Sequence, residues 1–194
     1  MQTGLKLYGV ALARILGSTP AALYERQRAL VRAGLLDAVA GHGPGSGTTT
    51  TAGSVALLVL ATMASGTLLE TESRARSVAA AAPLNAQRCP LTSMKSFQDA
   101  LAQVFTRKGL SRRVSEVGVS RTADRAWIAC RDGNVSEFVG LRLDEPGMRV
   151  TAVLSGESVA LIAADVRAVL NAKFEQQERA LAAAAKPPKM RKAS

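Results

Sequence analysis

The stretch from Ser54 to Leu69 (SVALLVLATMASGTLL) most narrows the folds open to this chain. A helix that is apolar all round has no face to give to water and must be covered on every side. The run is shorter than the roughly 18 apolar residues of a membrane span, and Ser54, Thr62, Ser65, Gly66 and Thr67 interrupt it. It therefore reads as a buried or subunit-packing helix, and no membrane partner is expected. The chain around it is able to supply the cover. Of its 194 residues 47% are hydrophobic and 21% charged, which excludes a wholly disordered chain and suits one domain or two small ones.

Cys89 and Cys130 are too few and too far apart for a disulfide scaffold. Together with His42, the single histidine, they lack the close spacing of a metal centre, so no metal and no cofactor is expected. The N-terminus does not begin with a basic segment leading into an apolar run, as a secretory signal does. Reduced thiols and a cytoplasmic location are the resulting expectation. The formal net charge of +10 points to a polyanionic partner. That excess is uneven: +5 falls in residues 87–125 and +4 in the last 24 residues, while residues 126–170 carry −2.

Along the chain, Leu5, Tyr8, Leu12, Ile15 and Leu16 recur at helical spacing, and Gly17 ends that helix. Thr19 and Pro20 suit the N-cap and first position of a second helix, running to about Ala33, with Gly34 in the left-handed position beyond it. A glycine-rich loop, Gly41-His-Gly-Pro-Gly-Ser-Gly47, precedes a short strand expected at Thr48–Thr51. Residues 71–94 have weak periodicity and read as a linker. Phe97, Leu101, Val104 and Phe105 mark a short helix. From Arg113 the period falls to two, with strands expected around Val117 and Val119, Trp127–Cys130, Val135–Leu143 and Met148–Leu154. Asp132-Gly133 signals a hairpin. Ser155 caps a long helix striped by Val159, Ile162, Val166, Val169, Leu170 and Phe174.

Ala13 in the first helix, Gly17 in the turn, Leu23 in the second helix and the exit Leu30-Val31-x-x-Gly34-Leu35-Leu36 make the first fifty residues resemble the winged helix-turn-helix family. Two departures stand out. Ser18 replaces the apolar residue usual after the turn glycine, and the loop that would be the wing tip is rich in glycine and poor in base. The resemblance implies a DNA-binding unit over residues 1–70 whose second helix enters a major groove. Its outward face would carry Ala21, Tyr24, Gln27, Arg28 and Arg32. The arginines would take guanine edges or phosphates, Gln27 adenine, and Tyr24 a phosphate or thymine methyl. Thr19 would bond a phosphate, Arg14 and Arg26 would flank the contact, and His42 and Ser46 would lie along a minor groove. The same residues also fit an αα-hairpin in which Arg28 and Arg32 form a solvated face beside Glu25.

The expected fold is thus α+β: an N-terminal winged helix-turn-helix, a linker at 71–94, and an antiparallel-sheet module with a long C-terminal helix over 95–180. A basic disordered tail fills 181–194. Trp127 is read as a core residue, and Arg112, Arg113, Arg121 and Arg125 as either a second phosphate-binding surface or a charged sheet edge. With one His and no paired acid–base motif, no catalytic residue is nominated. The functional expectation is a sequence-specific regulator binding double-stranded DNA as a homodimer. The alternative is a phage or mobile-element packaging or replication-initiation factor that marks a DNA site. The long C-terminal helix and the 54–69 helix are the candidate dimer surfaces.

Overall fold

The computed structural model describes residues 4–38, 47–142 and 148–184. Two short helices open it, α1 (Leu5–Ile15) and α2 (Pro20–Arg32). Both end on a left-handed glycine, Gly17 at φ 61° and Gly34 at φ 67°. Behind each, the chain folds back onto the last turn: Ser18 N–H donates to the Ala13 carbonyl at 2.9 Å, and Leu35 N–H to Leu30 at 2.9 Å. These bonds satisfy carbonyls that a helix end leaves open. Thr19 caps α2 by accepting the Ala22 N–H at 3.1 Å, with Pro20 at the first helical position.

The apolar helix α3 (Ala52–Ala64) starts two residues before Ser54. Thr51 is its N-cap, and Thr51 and Ser54 satisfy each other's backbone N–H in a reciprocal capping pair at 3.0 and 2.8 Å. The strand expected at Thr48–Thr51 is reduced to one bridge, Thr49 with Gly4, and Thr51 is taken up as the N-cap of α3. Leu57, Leu58, Val59 and Leu60 are all buried, with α2 on one side and α4 (Thr71–Ala79) and α5 (Phe97–Thr106) on others. The helix ends at Ala64, so Leu68 and Leu69 fall in an exposed turn instead of extending it. Because α3 is covered within one chain, it offers no dimer surface. Among the described residues no helix is long and apolar enough to cross a membrane.

The segment 71–94 is not a linker. It holds α4 and the short edge strand β1 (Ala82–Pro83), and Ala75, Val78, Ala81 and Cys89 belong to the same buried cluster as α3. A charged face hid α4 from a periodicity reading: Arg74 occupies a core-facing position and is 5% exposed. Its guanidinium pairs with the buried Asp124 carboxylate at 2.5 Å and donates to the carbonyls of Ser120 at 2.8 Å and Ala123 at 2.6 Å.

After α5 and α6 (Lys108–Arg113) come β2 (Val114–Ser120), β3 (Arg125–Cys130), β4 (Val135–Val139), β5 (Thr151–Ser155) and α7 (Gly156–Ala184). The five strands form one antiparallel sheet in the order β1-β4-β3-β2-β5. The architecture is α+β, with a long C-terminal helix. The β3–β4 turn carries Asp132-Gly133 as expected, but only Gly133 has positive φ. Gly133 N–H donates to Cys130, and Cys130 N–H to Asn134. That pattern is a three-residue loop with a left-handed glycine in place of a two-residue turn.

One sheet face packs on helices through Val117, Val119, Ala126, Ile128, Phe138 and Leu154, with the Phe97 ring of α5 5.0 Å from that of Phe138. The other face carries Glu116, Arg125, Trp127, Glu137, Thr151 and Val153, half-buried or exposed. Trp127 therefore lies on the open face, not in the core. Its phase matches Arg125 and Arg131, not Ala126 and Ile128.

Ser155 caps α7 by accepting the Ser158 N–H. The stripe of α7 is used internally: Val159, Ile162, Ala163 and Val166 are buried, while Phe174 is exposed. Gly156 sits where this helix leaves the sheet. An added Cβ would lie 2.4 Å from the Val114 carbonyl oxygen and 2.8 Å from that of Ser115. Both are backbone atoms, so Gly156→Ala is expected to destabilise the protein by about 1–3 kcal/mol, read as a lowered urea midpoint at unchanged m-value.

Candidate nucleic-acid interface

The start of α1, the outer side of α2 and the chain just before α3 enclose an open groove of about 430 Å³. It gathers Lys6, Tyr24, Gln27, Arg28, Arg32 and Thr48. The helix crossing brings Lys6 over α2, with its ammonium 4.7 Å from the centre of the Tyr24 ring. This cation–π contact holds the aromatic ring in place beside the arginines. Arg28 and Arg32 stand one turn apart on α2. Arg28 pairs with Glu25 at 3.1 Å, both side chains about half exposed, so the pair is solvated and open to exchange.

Two polar groups lie deeper. Gln27 is 7% exposed, so it does not share the outer face expected for it; α2 turns it inward to line the groove. Thr48 is 4% exposed, and among the described residues its hydroxyl oxygen has no hydrogen-bond partner. A buried hydroxyl without a partner costs free energy.

Of the other expected contacts, Ala21 is exposed near the start of α2, and Thr19 uses its hydroxyl to cap that helix. Arg26 does not flank the outer face. It is half-buried, and burial followed by the nearby Arg121 pulls its guanidinium below the usual pKa. Arg14 is exposed in the last turn of α1. His42 and Ser46 lie outside the described residues. Lys6 and Thr48 were missed because neither has a local sequence signal: both reach the groove only through the crossing of α1 and the return of the chain past Gly47.

The second arginine group does not form a single surface. Arg113 pairs with Asp132 at 3.2 Å, Arg125 with Glu137 at 2.6 Å, and Arg121 donates to the Met63 carbonyl at 3.0 Å. Several cations instead meet helix C-termini. Arg121 meets the end of α3, Arg76 the Ala33 carbonyl behind α2, and Arg167 the Phe105 carbonyl near the end of α5. Each complements the negative end of a helix dipole. Lys173 of α7 instead donates to the Thr50 carbonyl, just before the N-cap of α3, and burial lowers its pKa. Compared with family models, with curated proteins and with solved structures, the chain matches none.

Proposed function

We propose that the chain binds double-stranded DNA through α2, as a winged helix-turn-helix protein does, and acts as a dimeric transcriptional regulator in the cytoplasm. The observation that carries this reading is the groove rim: Lys6, Arg28 and Arg32 surround Tyr24, with the unpartnered Thr48 hydroxyl behind them. Cations on a helix face supply phosphate contacts, and the guanidinium fork suits phosphate or guanine. The local turn chemistry supports it too, since Gly17 lets the chain reverse sharply enough for α2 to follow α1 closely. For the dimer, the exposed distal part of α7, which carries Phe174, is the surface that remains once α3 and the proximal stripe are buried.

The test is duplex binding by fluorescence anisotropy across a salt series, for the wild type and for Arg28→Ala/Arg32→Ala. Both side chains are exposed, so the variant is expected to keep its circular dichroism spectrum. Loss of two phosphate contacts should weaken binding and reduce the slope of log K against log salt by about 2. An unchanged slope would show that α2 does not face DNA. A regulator should also prefer one short duplex over random sequence by about 10³ or more at physiological salt.

A further inference from the structure

The open sheet face holds a second hollow, of about 300 Å³, lined by Ser120, Arg125, Trp127, Glu137, Arg149 and Thr151. We infer that it binds a purine nucleotide, with the base stacked on Trp127 and the phosphate held by arginine. This surface is separate from the α2 groove, and the inference goes beyond the DNA reading.

Trp127 is built as a platform. Its indole N–H donates to Glu116 Oε1 at 2.8 Å, which fixes the ring. Its cross-strand neighbour is Gly118, where an added Cβ would fall 2.0–2.4 Å from three atoms of the indole. The ring therefore lies down on the β2 backbone in space that no other residue type leaves open. Its rotamer freedom is lost on folding, so stacking a base on it carries little further ordering cost. Base–aromatic stacking tolerates any base and is strongest for large rings.

The rim selects what else the ligand must carry. Arg125 and Glu137 are locked together at 2.6 Å, and Arg149 borders the same space. A carboxylate accepts from the N–H edge of a purine, while guanidinium groups match phosphate oxygens. The exposed Thr151 hydroxyl adds a donor suited to a sugar or phosphate, while the Ser120 hydroxyl is held by Thr122 and Ala123 within the β2–β3 turn. An aliphatic occupant would bury the charged rim of Arg125, Arg149 and Glu137 while offering it no hydrogen bond, which is unfavourable. The ligand chemistry is thus a purine, a sugar and a phosphate, supplied either as a free nucleotide or within a single strand.

Trp127 is the sole tryptophan, so its emission reports on this site alone. GMP, guanosine and a short guanine-containing single strand are titrated against the full chain, with N-acetyltryptophanamide as control for absorption. The expected result is saturable quenching by GMP, weakened about tenfold in Arg149→Ala while guanosine binding is unchanged. Tighter binding of the single strand than of GMP assigns the site to a strand, and equal binding assigns it to the free nucleotide. Absence of saturable quenching by both GMP and the strand overturns the proposal. So does an emission change that follows protein concentration and ignores nucleotide, which would place a second copy of the chain on this face. Arg28→Ala/Arg32→Ala should quench like the wild type, so failure of the DNA reading and failure of this one are told apart.

Discussion

Replacing Arg74 with methionine is expected to destabilise the protein by about 3–5 kcal/mol, because it leaves the Asp124 carboxylate buried without its cation. Both side chains are almost fully buried, at 6% and 4% exposure, so water cannot take over the lost contact. The arginine also ties α4 to the β2–β3 turn through the Ser120 and Ala123 carbonyls, which would be stranded with the carboxylate. Asp124 meanwhile accepts the Arg142 N–H at 2.9 Å, linking the same turn to the chain after β4. The double variant Arg74→Met/Asp124→Asn removes the unpaired charge and keeps an acceptor for Arg142, so it should recover part of the loss. Urea denaturation of the two variants measures both effects. A cost below about 1 kcal/mol for Arg74→Met would mean that the pair behaves as a solvated surface bridge.

Leu58→Ala should cost about 2–5 kcal/mol, since the deleted atoms leave a cavity in the middle of α3 where neighbours press from several elements. At about 2–4 °C per kcal/mol for a chain of this size, thermal unfolding should shift down by several degrees or more. Leu69→Ala is the matched control. It belongs to the same apolar run in the sequence but is 96% exposed, so its effect should stay within about 0.5 kcal/mol. Equal effects at the two positions would contradict the end of the helix at Ala64.

What could be read from the sequence was mostly local. Gly17, Thr19-Pro20 and Gly34 mark helix ends by chemistry that acts within a few residues, and the structure places helix ends at all of them. Strands β2 to β5 were legible from their alternation, although the last two were expected longer than β4 and β5 are, while β1 lay within the expected linker. Long-range pairing was not legible. Arg74 looks like a surface residue until Asp124, distant in sequence, is folded beside it, and that disguised α4 as a linker. Gln27 sits beside charged neighbours on α2, yet it is turned inward and lines the groove together with Thr48. Trp127 is a different case. Its phase with Arg125 and Arg131 points to the open face, against the general tendency of tryptophan toward burial, and the phase prevails. The groove residues from α2 could be named in advance, whereas Lys6 and Thr48 depend on tertiary placement.

The near-complete burial of α3 also sets a problem in time. Its cover comes partly from segments synthesised much later, since α5, β2 and β5 all pack on it. At ribosomal speeds of about 5–20 residues per second, the stretch from the end of α3 at Ala64 to the end of β5 at Ser155 takes on the order of 5–20 seconds to emerge. For that interval the most apolar helix in the chain lacks much of its final shelter. Chaperone demand during synthesis should therefore centre on this helix, and truncations ending before β5 should aggregate more readily than the full chain.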